Sequence, residues 1–157
     1  MKTLGNILWH FPFFGFLQAA IIYLFGLILT ITVIASPIGV GLMEYAKFLL
    51  APFSRSMVSK AELNVEQGAV WKSYSKIIMV LYFPLGLLMA LVGVIQVAGL
   101  CITIIGIPMA IIIAKSLGTY LNPVNKKCVP SAVAAELESR KAKAEVERHL
   151  GKSAKEV

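Results

Sequence analysis

Two residues of this chain stand out for their chemistry. Glu44 and Lys115 each lie seven residues after a proline, Pro37 and Pro108, and each closes a long stretch of uncharged sequence. No Lys, Arg, Asp or Glu occurs between Lys2 and Glu44, or between Lys76 and Lys115. A charged side chain at the centre of a bilayer costs about 2.5–3.5 kcal/mol on insertion scales, so such groups pair, line water or reach the headgroups. Three readings follow. Both residues snorkel from short helices to the interface, or they form an ion pair across an internal pseudo-twofold axis, or they provide the polar lining of a conduction path. Thr32 and Thr103 precede the same two prolines at equal spacing. Their hydroxyls are expected to satisfy backbone carbonyls freed where a helix breaks. A sharper reading has the breaks at Pro37, Gly106 and Pro108 expose helix-end dipoles to an ion at mid-membrane.

Other chemistries lack material. The chain has no Asp, and its histidines are His10 and His149. Asp-based triads and dyads are therefore excluded, and a His-rich metal site has few donors. Cys101 and Cys128 are too far apart for metal spacing and read as free thiols. No Walker loop, GxGxxG, HExxH or GxSxG is present. The chain is expected not to be an enzyme and to need no cofactor or metal.

The elements that would carry these residues follow from composition. Apolar residues make up 58% of the 157 and charged residues 15%, with mean hydropathy +0.80. A soluble domain of this length has too little interior for so much apolar side chain. Spanning a bilayer takes about 20 apolar residues, and each uncharged run holds one generous helix or two short ones. The sequence predicts a multipass membrane protein. The first run exceeds the ~7–15 residues of a secretory h-region and reads as a retained anchor.

The runs also resemble each other. At a constant offset of 71, residues 13–58 align with 84–129: Gly15 with Gly86, Ala19 with Ala90, Thr32 with Thr103, Pro37 with Pro108, and Pro52 with Pro123. Two prolines fifteen apart in both halves, each upstream one preceded by Thr-x-Ile-x-x, indicate a duplicated unit. Each unit parses as a lead-in ending at Pro12 or Pro84, a run of about 24 residues, a Pro break, and about fourteen residues before Pro52 or Pro123. At 1.5 Å per residue these are roughly 36 Å and 21 Å of helix. The fold class predicted is an all-α membrane protein of two tandem repeats. Each repeat is a long transmembrane helix, a Pro break and a short returning or re-entrant helix. Residues 1–130 form the membrane domain, with repeats 4–58 and 75–129 joined by a basic loop at 53–74.

Lys and Arg collect near the N-terminus, between the runs and after the second run. The positive-inside rule then places both termini and the central loop in the cytoplasm, so each unit enters and returns and the repeats are parallel. The rival is one crossing per unit with inverted repeats. Trp9, Tyr82 and Tyr120 read as interfacial anchors, and His10 as an interfacial side chain. Gly15 with Ala19, and Gly86 with Ala90, give small-xxx-small spacing for intrachain packing or self-association. Residues 131–157 turn rich in Ala, Glu, Lys and Arg, strong helix formers, and read as a cytoplasmic helix fraying after Gly151. The tail's positive charge suits anionic lipid headgroups. Nucleic acid is not an expected partner, because aromatics do not interleave with the basic residues.

Several motifs together resemble a known family. "LGNILW" (Leu4 to Trp9), "CITIIGIP" (Cys101 to Pro108), Lys115 and "NPVNKKCV" (Asn122 to Val129) are similar to the YccF family of small bacterial inner-membrane proteins. Pro37, Glu44, Lys47, Pro52 and "AEL" (Ala61 to Leu63) match its first-half spacing. Departures from the family pattern fall at Met109–Ala110, Ala51 and Asn122. The resemblance implies a polytopic protein of the bacterial inner membrane and supplies no molecular activity. Two functions follow from the residues: a homo-oligomeric channel or pore for ions or small solutes, or a non-transporting adaptor docking a partner through its basic loop and C-terminal helix.

Overall fold

The computed structural model of the chain describes residues 2–11, 13–66, 68–104 and 106–153. Pro12, Ile105 and the last four residues, which figure in the expectations above, lie outside them. The order is α1 (Lys2–His10), α2 (Gly15–Ile31), α3 (Ser36–Leu49), β1 (Arg55–Ser59), α4 (Ala69–Cys101), α5 (Ile107–Leu121), β2 (Lys126–Pro130) and α6 (Ser131–Ser153).

Local chemistry explains the breaks. Phe14 adopts φ 50, a left-handed conformation that a bulky residue takes only when forced, so α2 restarts there at 76° to the preceding helix. After α2, Val33 takes φ 59 and Pro37 opens α3 in its first turn, where the missing N–H costs nothing. Pro108 opens α5 in the same way. Helices α2 and α3 then fold back as a hairpin, because Gly26 and Gly39 let their backbones touch. A Cβ on Gly39 would lie 2.5 Å from the Gly26 carbonyl oxygen. In the second hairpin Gly86 of α4 meets the Leu121 carbonyl at the end of α5.

The two short helices run in opposite directions and cross near Tyr45 and Ser116. Gly41 of α3 abuts Pro123 just past α5, Tyr45 contacts Ser116 and Tyr120, and Lys115 reaches Pro52. The hairpin tips therefore point away from each other. Tyr74, near the start of α4, donates to the Val33 and Ile34 carbonyls at the first tip, while the second tip follows the far end of α4. Strands β1 and β2 pair antiparallel over the short helices with Met57 opposite Cys128, and α6 leaves from this ribbon. Trp9, Ala19, Tyr45, Phe48, Leu49 and Ile112 form the core where α1, α2, α3 and α5 meet.

Several expectations are corrected. The fold is not all-α. "RSMVS" and "KKCVP" are short, polar and basic, with too little alternation to read as strands alone, and they form only by pairing across 71 residues of chain. The second-half lead-in is not separate, since α4 runs 33 residues straight through Pro84. Proline there removes one helical bond, leaving the Val80 carbonyl without its partner. Trp9 is not an interfacial anchor. It is 3% exposed and its indole N–H donates to the Leu49 carbonyl at 2.7 Å.

The surface explains where the molecule sits. Helices α2 and α4 expose Phe16, Ile21, Leu24, Phe25, Leu85 and Leu91, among many others, each about half accessible or more. A water-soluble monomer rarely shows apolar patches beyond a few hundred Å2. Among the described residues, α4 is the one helix long and apolar enough to cross a membrane by itself, its most apolar window 17% buried within the protein, while α1 and α2 meet that length and apolarity only as a bent pair. Lipid is the solvent for such a surface.

Candidate functional site

Glu44 and Lys115 do not pair with each other. Glu44 is ion-paired with Lys47 one turn along α3, and its second oxygen accepts the backbone N–H of Cys128 at 2.9 Å. Lys115 donates to the Pro52 carbonyl at 3.3 Å and lies over the Phe53 ring. Each charge thus reaches from its own hairpin to backbone of the other half. Thr32 donates to the Leu29 carbonyl at 2.7 Å. Thr103 donates to the Leu100 carbonyl at 3.2 Å and accepts the Gly106 N–H at 3.1 Å. The Thr32 hydroxyl serves a carbonyl at the end of α2, whereas the Leu100 carbonyl and Gly106 N–H that Thr103 touches are also bonded to backbone across the turn. Pro37 is buried and Pro108 is partly accessible, each in the first turn of its helix.

Polar groups missed in the sequence converge elsewhere. Ser116 is fully buried on α5 and donates to the Ile112 carbonyl at 2.8 Å. Its oxygen lies 2.9 Å from the Tyr45 hydroxyl, which is 3.1 Å from that of Tyr120. Each hydroxyl carries one proton, so the donors run in one direction, from Tyr120 to Tyr45 to Ser116 to the Ile112 carbonyl. The two tyrosine rings meet edge to face. This chain borders a cavity of about 510 Å3 that follows α5 from Met109 to Tyr120, about 16 Å at 1.5 Å per residue. Gln18 of α2 and Gln96 of α4 also line it. Both carboxamides are exposed, and neither has a hydrogen-bond partner among the described residues.

The signal for these two was present in the sequence. Gln18 and Gln96 are the sole carboxamides inside the apolar helices α2 and α4. A carboxamide facing hydrocarbon finds a partner or faces water. The Tyr45–Ser116 contact had no such signal, because it depends on how the hairpins cross.

The ribbon face is cationic. Arg55, Lys126 and Lys127 lie in its strands, and α6 is tethered to it through Lys141, which donates to Glu62. That hydrogen bond holds the Glu62 carboxyl below the ordinary carboxylate range, against some burial that raises it. Burial pushes the Cys128 thiol up, only partly offset by Arg55. Cys101 and Cys128 are both free, and among the described residues no group of His, Cys, Asp or Glu could hold a metal ion.

No curated protein and no solved structure matches the chain. Residues 4–55 match the YccF family, described as an inner membrane component domain. The matched segment holds most of α1, the first hairpin and the first residue of β1. Together with the exposed apolar helices, this match over the first third of the chain shows a membrane protein whose N-terminal segment is similar to the YccF inner membrane component domain.

Proposed function

We propose that the chain is one subunit of a homo-oligomeric membrane pore for small, uncharged polar solutes, with the groove along α5 as its path. The observation that carries this reading is the groove itself. It places Gln18, Gln96 and the Tyr45 and Tyr120 hydroxyls along about 16 Å within apolar walls. Carboxamides and hydroxyls replace water for a neutral solute and offer an ion no charge. The two charges first considered for a conduction path are engaged elsewhere, Glu44 with Lys47 and the Cys128 N–H and Lys115 with the Pro52 carbonyl, which favours solutes over ions. Unpartnered carboxamides beside so much exposed apolar surface favour a second copy closing the groove.

On this reading the halves are duplicates related by a twofold axis along the membrane normal. It passes between Met57 and Cys128, and between Tyr45 and Ser116, each pair 71 residues apart. The cationic ribbon, both termini and residues 53–74 then face the cytoplasm, and the hairpins embed from that side. A cysteine at position 68 labelled by an impermeant reagent in intact cells would overturn this orientation.

Stopped-flow light scattering of proteoliposomes under glycerol and urea gradients tests the activity, with ion flux read in parallel. Solute entry above that of empty liposomes, lost in Gln18→Leu/Gln96→Leu, is the expected result. Permeability equal to empty liposomes for every solute and ion overturns the pore. The adaptor reading is favoured by α6, whose side chains from Glu138 to Leu150 are all exposed although Lys141 ties the helix to Glu62. Deleting residues 131–157 separates the two: an adaptor loses its cellular phenotype and a pore keeps its flux.

A further inference from the structure

A second cavity, of about 660 Å3, opens beside the first turns of α4. Lys72, Lys76 and Met79 form one wall, the segment from Asn122 to Lys126 forms another, and the loop from Ser59 to Glu66 closes it. Three amines face one carboxylate, Glu66. The ion pairs among the described residues engage Lys47, Arg140 and Lys141, and none involves Lys72, Lys76 or Lys126. The loop is fixed by Lys60 N–H donating to the Asn125 carbonyl at 2.8 Å. Asn122 is held by its bond to the Met79 sulfur. The volume falls in the usual range for ligand sites, about 300–1,000 Å3.

The surroundings specify the occupant. Lys72, Lys76 and Val80 lie on one stripe of α4 at i, i+4 and i+8. Along that stripe the side chains change from ammonium to hydrocarbon, with Val80 69% and Phe83 52% exposed. The cavity therefore lies where the lipid-facing surface of α4 begins. We propose that it binds the phosphate of an anionic membrane lipid, with the acyl chains lying on Val80 and Phe83. Lysine suits this task as a compact charge with three rotatable donors. Val65 and Val124 add apolar surface to the lining beside the lysines. The site requires the membrane reading alone. It is independent of the pore and of which side the ribbon faces.

The test uses the full chain, purified in detergent and incubated with phosphatidylglycerol or phosphatidylcholine, with bound lipid counted by native mass spectrometry. Phosphatidylglycerol should be retained in preference to phosphatidylcholine. Lys72→Gln/Lys76→Gln/Lys126→Gln should weaken it by about a hundredfold, as expected for three lysines at an anionic surface. The corresponding triple arginine variant should retain it, and Lys143→Gln/Arg148→Gln in the tail should leave it unchanged. Equal retention of the two lipids by the native chain overturns the site without any variant. Equal loss in the tail variant assigns the effect to general charge and overturns it too. Displacement of the lipid by an equal concentration of inorganic phosphate would make the ligand a soluble phosphate, against the proposal. If the triple glutamine variant aggregates, Lys76→Gln alone decides, and undiminished retention there counts against the site.

Discussion

Tyr45 and Ser116 are hydrogen-bonded to each other at 2.9 Å although 71 residues separate them, the same interval that aligns the two halves of the sequence. Each stands one residue after Glu44 or Lys115. The contact fixes how the short helices cross, and it buries both partners at the head of the groove.

Tyr45→Phe removes the central hydroxyl of that chain. Ser116 keeps its bond to the Ile112 carbonyl, and Tyr120 loses its acceptor. Interhelical hydrogen bonds in membrane proteins average about 0.6 kcal/mol and reach about 1.7, so the loss should fall in that interval. Ser116→Ala should cost a similar amount. Because both changes break one contact, the double variant should cost less than their sum. Unfolding in mixed micelles measures the cycle, and strict additivity would show that the contact carries no coupling.

Gly41 and Gly118 make a matched pair of opposite sign. A Cβ on Gly41 would lie 2.0 Å from the Pro123 carbonyl oxygen, whereas one on Gly118 meets nothing within 4 Å. Gly41→Ala should force α3 and the second half apart, costing about 1–3 kcal/mol as overpacking does. Gly118→Ala should stabilise by up to about 1 kcal/mol through helix propensity. Thermal melting in detergent should move in opposite directions for the two. A native-like melt for Gly41→Ala would show that the halves do not touch there.

Changing Gly106 and Pro108 to Ala together raises helix propensity by about 1 and about 3 kcal/mol. A Cβ at Gly106 would also meet the Leu100 carbonyl oxygen at 2.3 Å, so the bend cannot persist unchanged. Helices α4 and α5 should merge, which carries Lys115 away from Pro52 and Ser116 away from Tyr45. Pro37→Ala should act more weakly, since Val33 at φ 59, clamped by Tyr74, still holds the first turn. Size-exclusion profiles should show misassembly for the first variant, and a native peak would mean the second hairpin does not need its break.

Docking of α6 should depend on pH through Glu62. Its carboxyl pKa is lowered in the folded chain, chiefly by the hydrogen bond from Lys141. The contribution is therefore fully present above the ordinary carboxylate value and is lost as pH falls through the lowered one. The pair is partly exposed, so it contributes within about 1 kcal/mol and weakens with salt. A spin-label distance between the ribbon and α6 should lengthen on acidification, and Glu62→Gln should be long at every pH. A distance in Glu62→Gln equal to the native one would show that backbone contacts alone, such as Ser131 N–H to the Ser54 carbonyl, dock the helix.

Much of the architecture was legible because it rests on one-dimensional signals. Uncharged runs ending at Glu44 and Lys115 marked the lipid-facing helices, and Pro37 and Pro108 marked where the short helices begin, since proline dictates local backbone without reference to neighbours. Strong helix formers after Pro130 likewise marked α6. What tertiary structure decided was which groups meet. The strands were hidden because a five-residue basic segment becomes a strand only when a partner supplies the other half of its hydrogen bonds. Glu44 took a backbone N–H and Lys115 a backbone carbonyl, because the crossing of α3 and α5 set those groups nearer than the opposite charge. Gln18 and Gln96 were visible as polar residues in apolar sequence, but their sharing of one groove with Tyr45 depends on helices brought together by glycine contacts. Side-chain type and spacing fix what a segment wants from its surroundings, and only packing fixes which partner is close enough to provide it.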